Sequence, residues 1–270
     1  NCYAESIAHR FAGTKVYPNG FDVTLHPERL DQPLRWKKPR RVFVNSMSDL
    51  FHEGVPDEFI AQVFSVMALT PRHTFQVLTK RPGRMRSLLS RKGFRDLMAD
   101  NMQPTEPNPD EANDWLRFHA PAALPNVWLG VSAESQGWAN FRIPVLLDTP
   151  ASVRFVSAEP LLEPLDLTEF LHDSICCLRT GEEAICTCSE PYETKPHWVI
   201  VGGESGHRAR PMELHWVREL RDQCDGSDTA FLFKQWGEWA PNYAIDDVIL
   251  DHPMHRVGKK AAGRLLDGVE

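Results

Sequence analysis

No stretch of this sequence approaches the roughly 18 consecutive apolar residues that a membrane span requires, and no basic-then-apolar leader opens it. That rules against a membrane protein and makes the cytoplasm the expected location. An excess of positive charge is also missing, since 30 Lys and Arg stand against 37 Asp and Glu, a formal net charge of -7. A protein whose main task is coating nucleic acid needs the opposite balance to displace counterions from the phosphate backbone. Cysteine is sparse, six residues in 270, so a disulfide framework is not expected and a reducing compartment is. The chain also lacks an opening Met: it starts Asn1, Cys2, and is expected to be a fragment of a longer gene product.

What is present is an ordinary globular composition, 42% hydrophobic and 25% charged, in a chain long enough to bury a full core. Six short β-rich runs recur: Arg41 to Asn45, Thr74 to Thr79, Asn126 to Val131, Val153 to Ser157, Trp198 to Val201 and Ala230 to Lys234. They are nearly continuously apolar, as strands buried on both faces are in a parallel sheet covered by helices. Between the first two, Phe59, Ile60, Val63, Phe64 and Met67 repeat at helical spacing, with Pro56 and Asp57 before them and Pro71 after. Met85, Leu88 and Leu89 repeat the pattern after the second run, and Leu214, Val217, Leu220 and Cys224 after the fifth. The unit is strand, crossover helix, strand, which predicts an α/β fold, a partial TIM-like (β/α) barrel of parallel strands. A single domain over 1–240 is expected, with insertions at about 91–125 and 163–196 and a C-terminal extension over 241–270. Within the first insertion, a Pro-, Asn- and acid-rich surface excursion is expected over Met102 to Pro125, with at most one helical turn around Asn113 to Phe118.

In such a barrel, functional groups gather at the C-terminal strand ends. Those ends carry Asn45, Ser46, Ser48 and Asp49; Thr79, Lys80 and Arg81; Ser132 and Glu134; Ser157 and Glu159; Gly202, Gly203, Glu204 and Ser205; and Lys234, Gln235 and Trp236. A solvated strand end or a helix cap explains any one of these, but recurrence over six strands points to a site. The Gly202-Gly203 pair either lets backbone approach a ligand or makes a tight turn, and it is not the spaced dinucleotide fingerprint. Trp236 and Trp239 beside Lys234 suggest either a stacking wall or core packing. Two basic clusters, one at Arg35, Lys37, Lys38, Arg40 and Arg41 and one running from Lys80 to Lys92, are read as solvated charge or as local anion patches.

The segments NCYAE (Asn1 to Glu5), VFVNSMSDLFHEGVP (Val42 to Pro56), FQVLTKRP (Phe75 to Pro82), NVWLGVSAE (Asn126 to Glu134), RFVSAEPLL (Arg154 to Leu162), WVIVGGESG (Trp198 to Gly206) and FLFKQWGEW (Phe231 to Trp239) together resemble one family. It is the phage and bacterial family of three-Cys-motif proteins, itself similar to the radical S-adenosylmethionine barrels. The resemblance implies a four-iron, four-sulfur cluster on three thiolates, of which this sequence holds only Cys2, at the start of a helix expected from Tyr3 to Phe11. One thiolate cannot hold a cluster, so the cluster and S-adenosylmethionine are expected only for a full-length protein. By analogy of strand order, Ser46, Ser48 and Asp49 would meet the methionine amino group, and Ser132, Glu134 and Glu159 the ribose and adenine.

Lys80, Arg81, Glu159, Glu204 and Lys234 are the candidate catalytic or substrate-contacting residues of a radical enzyme. Its substrate is unidentified, with nucleic acid or a partner protein suggested by the phage setting. The alternatives are a barrel using Asp49, Glu159 and Glu204 to hold a divalent metal for phosphoester hydrolysis, or a nucleotide-binding barrel without chemistry. A second group, Cys176, Cys177, Cys186 and Cys188, with His172 and His197 in reserve, suggests zinc or an auxiliary cluster; a reduced surface loop is the competing reading.

Overall fold

The computed structural model describes residues 3–102, 108–171, 195–241 and 254–269. Cys2, His172, Cys176, Cys177, Cys186 and Cys188 lie outside the described residues. Six strands lie in one sheet in the order β1-β2-β3-β4-β5-β6: β1 (Arg41–Val44), β2 (Thr74–Thr79), β3 (Val127–Ser132), β4 (Val153–Ala158), β5 (Trp198–Gly202) and β6 (Ala230–Gln235). The pairs β1–β2, β4–β5 and β5–β6 are parallel. Sequential parallel strands joined by helical crossovers give the α/β topology of a partial TIM-like barrel.

The helices are α1 (Tyr3–Arg10), α2 (Gln32–Arg35), α3 (Asp57–Ala68), α4 (Pro82–Leu89), α5 (Phe94–Asp100), α6 (Pro109–Phe118), α7 (Gln136–Leu147), α8 (Thr168–Leu171), α9 (Leu214–Gly226) and α10 (Lys259–Ala262). Helix α3 forms because Pro56 enters extended, Asp57 and Glu58 meet the positive end of the helix, and Ile60, Phe64 and Met67 bury one face. The segment expected to hold one helical turn instead contains the ten-residue α6, opened by Pro109 and acidic in its first turn. Only Leu116 of α6 is buried, so its apolar periodicity was too thin to read.

The described residues form two compact units, 1–130 with 149–153, and 131–148 with 154–270. In the first, α3, α4 and α5 close over β1 and β2 with Phe64, Met67, Val77, Met85 and Met98 in the core. In the second, α9 covers β5 and β6 with Leu214, Val217, Leu220 and Cys224. A short antiparallel pair, β7 (Trp239–Pro241) and β8 (Met254–Arg256), follows β6.

The expectation of burial on both faces holds for most of β3 and for the second half of β4, is met on one face only along β2 and the start of β5, and fails at the edges. β1 and β6 are the first and last strands of the sheet, and Phe43 and Leu232 on them stay 45% and 43% exposed. An apolar run predicts burial on both faces only where each face has a cover.

Candidate functional site

In the first unit, β1 ends in a turn at Asn45, whose positive φ of 58° reverses the chain, and Asp49 follows. Asp49 Oδ1 accepts from the Phe51 backbone N–H at 2.9 Å and from the Thr79 hydroxyl at 2.8 Å. Its Oδ2 accepts from the Lys80 backbone N–H at 3.0 Å and from Arg81 Nη1 at 3.1 Å. One carboxylate thus ties the loop after β1 to the loop after β2, and four donors saturate it. Arg84 reinforces the brace from α4, donating to the carbonyls of His52 and Val55 and to Asp57. The structure therefore brings together Asp49, Thr79, Lys80 and Arg81, with the buried Thr79 as the joint, and leaves Ser46 and Ser48 exposed beside them. A ligand reaching Asp49 would have to displace an internal donor.

In the second unit, Ser132 and Glu134 lead into α7, and both are buried. Arg142, two turns along that helix, donates from Nη1 to the Ser132 carbonyl at 3.0 Å and to Glu134 Oε2 at 2.9 Å. Its guanidinium lies 4.0 Å from the Trp138 ring centroid. This is a buried ion pair whose rupture would strand a charge. Nothing in the sequence separates Arg142 from an ordinary helical arginine, and it was not foreseen.

The strand ends of β4, β5 and β6 form the second unit's polar cluster. Lys234 Nζ donates to Glu159 Oε2 at 2.7 Å, and Gln235 Nε2 donates to Glu159 Oε1 at 3.2 Å and to the Gly203 carbonyl at 3.0 Å. Glycine at 203 is required by close approach of backbone, and at 202 the space is tight against a side chain. A Cβ on Gly202 would stand 3.1 Å from the Glu159 carboxyl carbon, and one on Gly203 would stand 1.9 Å from the Trp236 carbonyl oxygen. Of the two explanations for the glycine pair, chain packing accounts for Gly203.

Glu204 turns away from this cluster to Arg210, which grips it with Nε at 2.8 Å, Nη2 at 3.0 Å and its own backbone N–H at 2.8 Å. The Arg210 side-chain hydrogen bonds hold the Glu204 carboxyl below its ordinary range against the opposing effect of burial. Trp236 is 1% exposed and donates its indole N–H to the Leu265 carbonyl, so it is core; Trp239 donates to the Ala209 carbonyl. His197 Nδ1 accepts the Arg154 backbone N–H at 3.1 Å.

Of the candidate catalytic residues, Lys80 and Arg81 adjoin in the first unit, and Glu159 and Lys234 pair in the second. Each carboxylate of the divalent-metal alternative has its own cation: Asp49 has Arg81, Glu159 has Lys234 and Glu204 has Arg210. Among the described residues no three His, Cys, Asp or Glu side chains group as metal ligands. Lys234, with its side chain 54% exposed, is the cation of the second cluster, and an anionic ligand reaching it would share it with Glu159.

A family model described as a protein of unknown function, DUF5131, matches residues 1–270, and the chain belongs to that family. Neither curated proteins nor solved structures give a significant match. Among the described residues no helix is long and apolar enough to cross a membrane.

Proposed function

We propose that this member of the DUF5131 family is the barrel of a radical S-adenosylmethionine type iron–sulfur enzyme acting on an unidentified substrate, with nucleic acid the class to test first. The observation that carries the reading is the order of elements. NCYAE runs into α1, and parallel strands then follow in sequential order with polar residues at their C-terminal ends. The support is analogy at the level of fold and motif, and it places the burden on chemistry. The reading requires two thiolates besides Cys2, because three are needed to leave one iron open to a cofactor.

When bound, the cluster would supply the electron that cleaves S-adenosylmethionine and so generates a hydrogen-abstracting species. The chain's own residues would bind and orient. Ser46 and Ser48, exposed after β1, offer hydroxyl oxygens to an ammonium group. Asp49 and Glu134 act through the backbone they fix, since their carboxylates already hold Arg81 and Arg142. Lys234 and Glu159 offer a cation and an anion 2.7 Å apart, which suits a substrate bearing both acceptor and donor groups.

Anaerobic assembly of the natural gene product with iron and sulfide, then reduction in the presence of S-adenosylmethionine, tests the reading. A brown protein that forms 5′-deoxyadenosine supports it. A colourless, iron-free product after careful oxygen-free assembly overturns it, and magnesium-dependent phosphoesterase activity without iron would put the alternative in its place.

A further inference from the structure

The first unit holds a cleft of about 280 Å³ that no part of the proposed chemistry uses. It lies at the start of β3 and the ends of α4 and α5, not at the C-terminal strand ends that carry Lys80 and Arg81. Its floor is apolar: Phe64, Phe94, Met98, Leu124 and Leu129 line it and are each at most 7% exposed. Phe64 and Phe94 meet edge-on at 5.5 Å between centroids, which fixes the floor's shape. Its rim is cationic. Arg91 and Lys92 are exposed on the α4–α5 turn and have no acidic partner among the described residues, while Arg95 is tied to the Ala120 carbonyl. The nearby acids of α5, Asp96 and Asp100, share the single cation Arg117, and neither forms an ion pair with Arg91 or Lys92.

An apolar floor under unpaired cations is complementary to a molecule that is apolar at one end and anionic at the other. At ~30 Å³ for each water-sized group, the cleft admits a body of about nine or ten heavy atoms. We propose that this cleft binds a small amphipathic anion, with its hydrocarbon or aryl body between Phe94, Met98 and Leu129 and its carboxylate or phosphate at Arg91 and Lys92. The site is separate from the proposed radical chemistry and does not depend on it.

The test uses the full chain with sodium decanoate below its micelle concentration, followed by calorimetry and by chemical-shift changes at the Met98 methyl group. Decanoate is expected to bind saturably and to perturb Met98, and decylammonium to bind at least tenfold more weakly. Because Arg91 and Lys92 are exposed and have no acidic partner among the described residues, the double variant R91E/K92E should keep its thermal midpoint, lose decanoate binding at least tenfold and gain decylammonium binding. Equal affinity for the two amphiphiles, or unchanged decanoate affinity in the double variant, overturns the proposal. So does binding to phosphatidylglycerol vesicles without binding of free decanoate, which would assign the rim to a lipid surface.

Discussion

At the scale of single residues, the polar groups read as a site divide by what they already hold. Asp49 has two oxygens and four donors, so Asp49→Asn removes the charge and turns one acceptor into a donor facing donors. The expected cost is about 1–3 kcal/mol, read as a lower urea midpoint with the slope unchanged. An unchanged midpoint would mean that the brace carries no stability. Glu204 carries a pH dependence of definite sign. Its folded carboxyl lies below its unfolded value because Arg210 favours the anion, so its contribution is complete above the unfolded pKa and fades as pH falls through the folded one. Asp267, gripped by Arg218 and Arg221, adds in the same direction. Urea melts between neutral pH and about pH 3 should show stability falling with acid, and Glu204→Gln should flatten part of that slope. Cys224 is the opposite kind of residue. Burial on the inner face of α9 pushes its thiol up to about 12, so iodoacetamide should leave it unmodified in the native protein and label it once the chain unfolds. Native-state labelling of Cys224 at neutral pH, seen by peptide mass mapping, would contradict that burial.

At the scale of elements, all six strands were legible to within a residue or two, because an apolar run bounded by polar and turn residues has few other uses at that length. The amphipathic helices α3, α4 and α9 were legible for the same reason. What could not be read was how elements meet. Two backbone segments touch where Gly203 passes the Trp236 carbonyl and Gly237, at a φ of 83°, passes the Glu204 carbonyl. In sequence the glycine pair was equally a ligand loop. The same is true of His73 and His197, each just before a strand, whose Nδ1 atoms accept backbone N–H groups of Arg40 and Arg154. A histidine in a sequence does not show which amide it will cap. The close approach of the segments that follow β5 and β6 predicts that Gly203→Ala is far worse than an exposed Gly→Ala change. With a Cβ 1.9 Å from a carbonyl oxygen the backbone must move, at a cost of about 1–3 kcal/mol or more. Gly226→Ala, whose Cβ would meet nothing within 4 Å, is the control and should leave the thermal midpoint within a few degrees.

At the scale of the whole molecule, the sequence located candidate groups because a parallel fold puts strand ends where side chains can be used. It could not tell groups that wait for a ligand from groups that already hold each other. Glu159 and Lys234 are 75 positions apart and pair directly, and Glu134 finds Arg142 on the helix that follows it, yet both acids looked alike as strand-end carboxylates. Net charge is the one whole-chain quantity that the sequence fixes without a fold, and it makes a further prediction. With a formal charge of -7, the chain should repel the phosphate backbone at long range, so any contact with nucleic acid must come from local groups such as Lys37 and Lys38 or Lys80. Non-specific binding of an unstructured 20-nucleotide strand should therefore be absent below about 100 μM at about 150 mM salt, at the weak end of what such contacts give. Fluorescence anisotropy over a salt series reads this directly. Binding tenfold tighter, with a steep fall as salt rises, would show that a local basic cluster outweighs the net charge. Loss of that binding in K37E/K38E, but not in K80A, would then assign the contact to the first cluster and away from the strand ends.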